Sequence, residues 1–246
     1  MNYLDSVKDF FRSPKWGMNI LLGGVCMLIP LVGQIVLSGW NITQLWGQGD
    51  QRDPTKLPEF SFNHFVKYLT RGLWPFLVQL VLGLVLAIVI VMVAVLCFFI
   101  IAALAAAMAE AAALAFIVLL LIGIPIYLIL MISLNLILIP LTLKATLTQK
   151  FSTAFDLSFV KSFLSNVWKE IVVTALFMFV LGIAFTIATL IVLIPTLGFG
   201  VYFLMPIMAF AWQHLVKQLY VLHLERGGIA VTQSPKLNDL PPALPA

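Results

Sequence analysis

The seventy residues from Trp74 to Leu143 hold one charged side chain, Glu110, and a run of that length has no place in a soluble core. At 1.5 Å per residue it would form roughly 105 Å of helix, several times the ~30 Å hydrocarbon thickness of a bilayer, so it has to cross more than once. The whole chain agrees. Of its 246 residues 62% are hydrophobic and 10% charged, whereas roughly a quarter of a soluble protein is charged. The sequence predicts an all-α, polytopic membrane protein with a single integral membrane domain over residues 1–225.

The fourteen Lys and Arg fall in four blocks, from Lys8 to Lys15, Arg52 to Arg71, Lys144 to Lys169 and Lys217 to Lys236. Between them lie three stretches without a basic residue, 16–49, 72–143 and 171–216. If basic loops stay in the cytoplasm, all four blocks share one side and each stretch crosses an even number of times. This places the chain in the cytoplasmic membrane with both termini inside. The net charge of +4 then reads as topology and attraction to anionic headgroups, not as nucleic-acid binding.

The third stretch reads as a complete hairpin, Ile171 to Ile194, a turn at Pro195-Thr196-Leu197-Gly198, and Phe199 to Tyr220 returning. In the middle stretch two long spans meet around Ala102 to Ala113; Gly123 and Pro125 offer a further break, so three spans remain an alternative. The first stretch is shorter, 34 residues. Split at Pro30-Leu31-Val32-Gly33 it leaves legs near 20 Å, too short to cross, so it reads as a short re-entrant hairpin or one kinked span. The expected count is four full transmembrane helices in two hairpins plus the short N-terminal one.

Each stretch is introduced by an amphipathic segment: Tyr3, Leu4, Val7, Phe10 and Phe11; then Phe62, Phe65, Val66, Leu69 and Leu73; then Phe159, Val160, Phe163, Leu164 and Val167. Phe65-Val66-Lys67 is followed by Trp74, Phe159-Val160-Lys161 by Trp168 at the same distance, and Val7-Lys8 by Trp16. These segments are expected as three interfacial helices, with Trp16, Lys67, Trp74, Lys161 and Trp168 as anchors. After Glu225 the chain turns polar and proline-bearing, and 226–246 is expected to be a disordered cytoplasmic tail.

Chemistry-bearing residues inside the apolar stretches are few. Gln79, Glu110, Asn135 and His214 are the candidate intramembrane polar residues, of which Glu110 and His214 alone ionise. Glu110 among alanines fits a far-side turn, His214 one turn before Lys217 fits an interface, and Gln79, Asn135 and Asn41 fit hydrogen bonds between helices. His64, His214 and His223 are scattered, no HExxH occurs, and Cys26 and Cys97 lack metal spacing, so neither an enzyme nor a cofactor or metal site is expected.

The stretch Leu28-Ile29-Pro30-Leu31-Val32-Gly33 leading to Gly39-Trp40, the loop Leu57-Pro58-Glu59-Phe60 before a helix ending at Arg71-Gly72, the segment Ala154-Phe155-Asp156, and Gln218-Leu219-Tyr220 resemble a bacterial and archaeal membrane family known as domain of unknown function 4013. Members of that family often carry a tyrosine and arginines after the glycine, where this chain has Trp40, Asn41 and Gln44. The resemblance implies a polytopic membrane protein of unassigned activity. The leading expectation is a non-enzymatic organiser of lipid or partner proteins, with the bilayer and a second copy or another membrane protein as partners. The alternative is a permease or scramblase for a lipid-like substrate.

Overall fold

A backbone surrounded by apolar side chains, and by lipid or protein instead of water, has to satisfy its hydrogen bonds internally, and the long uncharged runs accordingly form long helices. The computed structural model describes residues 1–47, 59–107, 111–193 and 195–238. Seven α-helices lie among them: α1 Asp5–Arg12, α2 Trp16–Met27, α3 Val32–Trp46, α4 Phe65–Ala107, α5 Ala111–Thr148, α6 Leu157–Leu193 and α7 Gly200–Glu225. No strand occurs among the described residues.

The middle stretch forms two helices, not three. α5 runs unbroken through Gly123, Pro125 and Pro140, while Glu110, expected at the turn, lies outside the described residues. The turn at 195–199 joins α6 to α7 as anticipated, with Leu197 and Gly198 both left-handed (φ 51° and 88°). The backbone amide of Gly198 donates to Leu193 O at 2.8 Å. Glycine takes this conformation without steric cost, which lets α7 start only a few residues beyond the end of α6.

Residues 16–46 fold as two short helices in contact, joined at 28–31, where Leu31 adopts φ 62°. α3 is the interior of the molecule. From Gly33 to Trp46 every residue except Gln34 and Ser38 is buried, under α2, α4 and α7. Glycine permits this approach: a Cβ on Gly39 would stand 1.7 Å from Tyr68 O, and one on Gly72 would stand 1.9 Å from Ile35 O. The α3–α4 crossing is therefore backbone against backbone, the close packing that small residues allow between membrane helices. Around it lies a core of Trp40, Tyr68, Leu143, Phe159, Phe163, Phe210 and Leu219, all fully buried.

Beyond that core the helices present large apolar side chains outward, among them Leu84, Ile88, Phe98 and Phe99 on α4, Leu121 and Ile129 on α5, and Val180, Leu190 and Ile191 on α6. A soluble surface does not carry so much contiguous apolar area. Among the described residues three segments are long and apolar enough to cross a membrane, Phe62–Ile88, Leu128–Thr148 and Leu157–Leu193. α7, the expected fourth span, is not among them. Its second half carries Gln213, His214, Lys217 and Gln218.

Two expectations are corrected. The segment at 62–73 is not a separate interfacial helix: after a short 3₁₀ turn at Phe62–His64 it runs into α4 without a break, whereas the segment before Val167 is a helix set off from the rest of α6 by non-helical backbone at that residue (φ −135°, ψ 18°). The apolar face of the second is covered by protein, with Phe159, Phe163 and Val167 fully buried. Tertiary contacts claimed a face that hydropathy alone assigns to lipid. The tail, expected to be disordered from Arg226, is instead packed on the bundle as far as Leu237, which is fully buried; residues 239–246 lie outside the described residues. Its polar backbone is held by side chains and carbonyls of the bundle, partners that composition does not reveal.

Candidate functional site

Polar side chains gather in two places. The first is an open groove of about 440 Å³ between α1 and α7. α1 is amphipathic. Phe10 faces inward and meets Phe210 edge-on at 5.5 Å, so the following turns of both helices align their polar faces.

Asp9 stands at the meeting point: Arg12 Nη1 donates to its Oδ1 at 2.7 Å, and His214 Nε2 lies 3.3 Å from its Oδ2. Gln218 fixes the ring. Its Nε2 amide donates to His214 Nδ1 at 3.0 Å, which leaves the imidazole proton on Nε2, facing Asp9. The same amide clasps the N-terminus, with Asn2 N donating to Oε1 at 2.7 Å and Nε2 donating to Asn2 O at 2.9 Å. Lys217 Nζ donates to Leu45 O at 2.7 Å and lies 6.0 Å from the Trp46 ring centroid. With Asp5 and Glu225 also lining it, the groove presents carboxylates and cations together. That is the chemistry of a site for a zwitterionic or ion-pairing group.

The second place is buried. Arg71, 3% exposed, donates from Nη1 to Thr43 Oγ1 at 2.7 Å and from Nε and Nη2 to Lys236 O in the tail at 3.2 and 2.6 Å. Gln149 Nε2 donates to Arg71 O at 3.3 Å and to Thr146 O at 2.7 Å. Asn41, on α3, is completely buried with neither amide atom hydrogen-bonded among the described residues, and Gln149 Oε1 is in the same condition.

The root of the tail is built around His223. This fully buried ring packs on Phe163 at 4.9 Å and is linked to Ile229 O at 3.2 Å and Asn166 Nδ2 at 3.3 Å. Burial pushes its pKa below the usual histidine range, and the Ile229 carbonyl opposes that in part. On the opposite flank Asp156 caps α6, accepting from Ser158 N at 2.9 Å. The Lys144 ammonium beside it holds its carboxyl well below the usual carboxylate range.

Of the residues expected to carry function, His214 lies in the groove. Gln79 is on an exposed face of α4, and Asn135 donates to Met131 O of its own helix at 2.8 Å. No hydrogen bond among the described residues joins these three. Trp16 and Trp168 are half exposed, the latter with Lys169 Nζ 5.8 Å from its ring centroid, while Trp74 is partly covered by the cluster of Val78, Leu141 and Ala145. Lys67 and Lys161 are exposed. Asp9, Lys217 and Gln218 in the groove and Arg71, Thr43 and Gln149 within were not singled out from the sequence as functional. In the sequence Arg71 stood out only as half of the Arg71-Gly72 pair that contributes to the family resemblance. No group of three His, Cys, Asp or Glu able to hold a metal occurs among the described residues.

A family model described as "Protein of unknown function (DUF4013)" matches residues 22–194, which takes in α3, the Gly39–Gly72 crossing, Arg71 and the Asp156 cap. The chain belongs to this family. Neither a comparison with curated proteins nor one with solved structures finds a match. Within the DUF4013 match, the residues that carried the resemblance have structural work: Gly39 and Gly72 form the crossing, Arg71 bridges α3 to the tail, and Asp156 starts α6. The groove's α1 and the polar half of α7 lie outside the matched segment.

Proposed function

We propose that the protein is a non-enzymatic binding protein of the cytoplasmic membrane, anchored by its apolar helices. It holds a polar group of a lipid or of a partner protein in the groove between α1 and α7. The observation that carries this reading is the groove itself, where Asp9 lies 3.3 Å from His214, Gln218 is hydrogen-bonded to the same ring, and Asp5 and Glu225 line an opening of about 440 Å³. Preorganised charges beside apolar helices suit the recognition of an amphiphile, because little ordering remains to be done on binding. The basic blocks support an orientation with both termini in the cytoplasm.

Native mass spectrometry of the protein extracted in mild detergent tests the reading. The wild type is expected to retain a lipid or a partner that Asp9→Asn and Lys217→Gln lose, and liposomes containing it are expected to scramble fluorescent lipid no faster than empty ones. Scrambling that Asn135→Leu abolishes would reject the proposal in favour of a permease.

A further inference from the structure

The charged helix α1 lies level with the middle of the apolar face of α6. That face is exposed from Val173 to Leu193, a rise of about 30 Å, which is one full hydrocarbon thickness. The turn at 195–199 folds α7 back along α6, so residues equally far from the turn stand at similar heights. Ile183 lies ten residues before the end of α6 at Leu193, and Phe210 ten residues after the start of α7 at Gly200. The Phe210 ring meets Phe10 of α1 at 5.5 Å, and nearer the base Tyr3 meets Phe177 at 5.3 Å. Around Phe10, α1 carries Lys8, Asp9 and Arg12, of which the two cations are exposed. A bilayer as thick beside α1 as beside α6 would submerge these charges in hydrocarbon.

α2 repeats the mismatch in its length. Its exposed apolar row runs from Trp16 through Met18, Leu21 and Val25 to Leu28, a rise of only about 18 Å. The far end of that row is not short. Gly23 packs on Pro206 and Gly24 on the Phe203 ring, so α2 runs antiparallel to α7 and its tip at Leu28 and Ile29 stands near the height of the α6–α7 turn. The difference falls at the near end, where Trp16 is followed down the chain's surface by Lys15, paired with Glu59 at 2.8 Å, and Arg12.

We infer that the α1–α2 face is an interaction surface for a locally thinned bilayer, whose hydrocarbon narrows from about 30 Å beside α6 to about 18 Å beside α2. The occupant is lipid, because an apolar row closed by a tryptophan and then by cations matches, in order, acyl chains, interface and anionic headgroups. Deforming a bilayer costs little for each ångström, whereas charges held at its centre are expensive, so the headgroups of the leaflet on the α1 side descend to meet Lys8, Arg12 and Lys15. Their descent brings them level with the groove between α1 and α7, which a lipid can then enter sideways. The thinning itself does not depend on the groove being occupied.

The test places a nitroxide on single cysteines at Met18, Ile29 or Ile183, each about half exposed (51%, 49% and 48%), so that labelling leaves the packing intact. The full-length protein, with Cys26 and Cys97 replaced, is reconstituted in phosphatidylcholine vesicles. Power-saturation spectroscopy then reads collisions with oxygen, which concentrates in hydrocarbon, and with a water-soluble nickel chelate. Met18 and Ile29 should each meet the chelate roughly fivefold more often than Ile183, since they lie near opposite headgroup layers and Ile183 near the centre of a full-thickness bilayer. A Met18 label as shielded from nickel as Ile183 overturns the inference. So does an accessible Met18 with a shielded Ile29, the pattern of a tilted bundle in a bilayer of ordinary thickness. Labels on α2 that meet neither reagent overturn it as well, because protein and not lipid then covers the face.

Discussion

Replacing Gly39 by alanine adds one methyl group at the centre of the protein. Its carbon would stand 1.7 Å from Tyr68 O, whereas ordinary contact begins near 3.4 Å, so α3 and α4 must part by about 1.7 Å. The obstacle is backbone on both sides, with Gly72 N also within 2.9 Å, so no rotamer change relieves it. A gap of only 0.5 to 1 Å forfeits roughly a quarter to a half of the dispersion well between facing atoms. Overpacking in well-filled cores costs about 1–3 kcal/mol, occasionally more, and here the parting also stretches the 2.7 Å bond from Arg71 to Thr43. We expect a loss at or above the top of that range, which for a chain of this size lowers the melting temperature by roughly 6–12 °C.

Gly72→Ala should cost a similar amount. The double variant should lose less than the sum, because helices already parted accept the second methyl more easily. Gly83→Ala is the control, with nothing within 4 Å of its Cβ position, and should melt at or slightly above the wild type because alanine is the better helix former. Scanning fluorimetry of the four variants in one detergent reads all of this. If Gly39→Ala melts with the wild type, the close crossing does not hold the molecule together and the reasoning fails.

The remaining expectations follow from packing and charge. Phe159→Asp puts a carboxylate where a fully buried ring meets Phe163 and His223 at 5.7 Å each, a site where even Phe→Ala costs about 3–5 kcal/mol, so it should not accumulate as folded protein. Phe65→Asp, at a partly exposed position, should fold; size-exclusion profiles separate the two. Because His223 binds its proton less readily when folded, its contribution to holding the 226–229 turn is complete above its ordinary pKa of about 6.5 and declines as pH falls below that. Melting temperature should therefore fall on acidification more steeply in the wild type than in His223→Leu. With Cys26 and Cys97 replaced, cysteines at Ser158 and Gln233 should react with impermeant reagent from one side of the membrane and one at Thr196 from the other. Labelling of Ser158 and Thr196 from the same side would refute the α6 crossing.

Elements built by uninterrupted apolar runs were legible in the sequence, because a chain that cannot reach water must be helical whatever its neighbours. The α6–α7 turn was equally legible, since Pro195 and Gly198 mark it locally. What was not legible depends on which segments meet. Phe159 and Phe163 read as lipid-facing from their spacing, but the same spacing serves a face turned to protein, and only the fold decides between them. Arg71 counted as one more cytoplasmic charge until α3 and the tail enclosed it. The tail itself has the composition of a disordered segment, and its order rests on Leu237 together with backbone bonds to Arg71, Leu147 and Tyr220. Asp9 and His214 stand more than two hundred positions apart, so no local pattern pairs them.

The central position of α3 also bears on how the protein is made. Its 15 residues measure about 22 Å and include Asn41, Thr43 and Gln44, too short and too polar for lipid to hold as a span. α4, which covers one side, is synthesised directly after it, whereas α7, which covers another, begins only at Gly200. During synthesis the innermost helix must therefore wait at the membrane surface while most of the chain is still being translated. The centre of the protein is the last part to be finished, and a nascent chain halted before Gly200 should leave Trp46 and Lys217's acceptor at Leu45 open to protease.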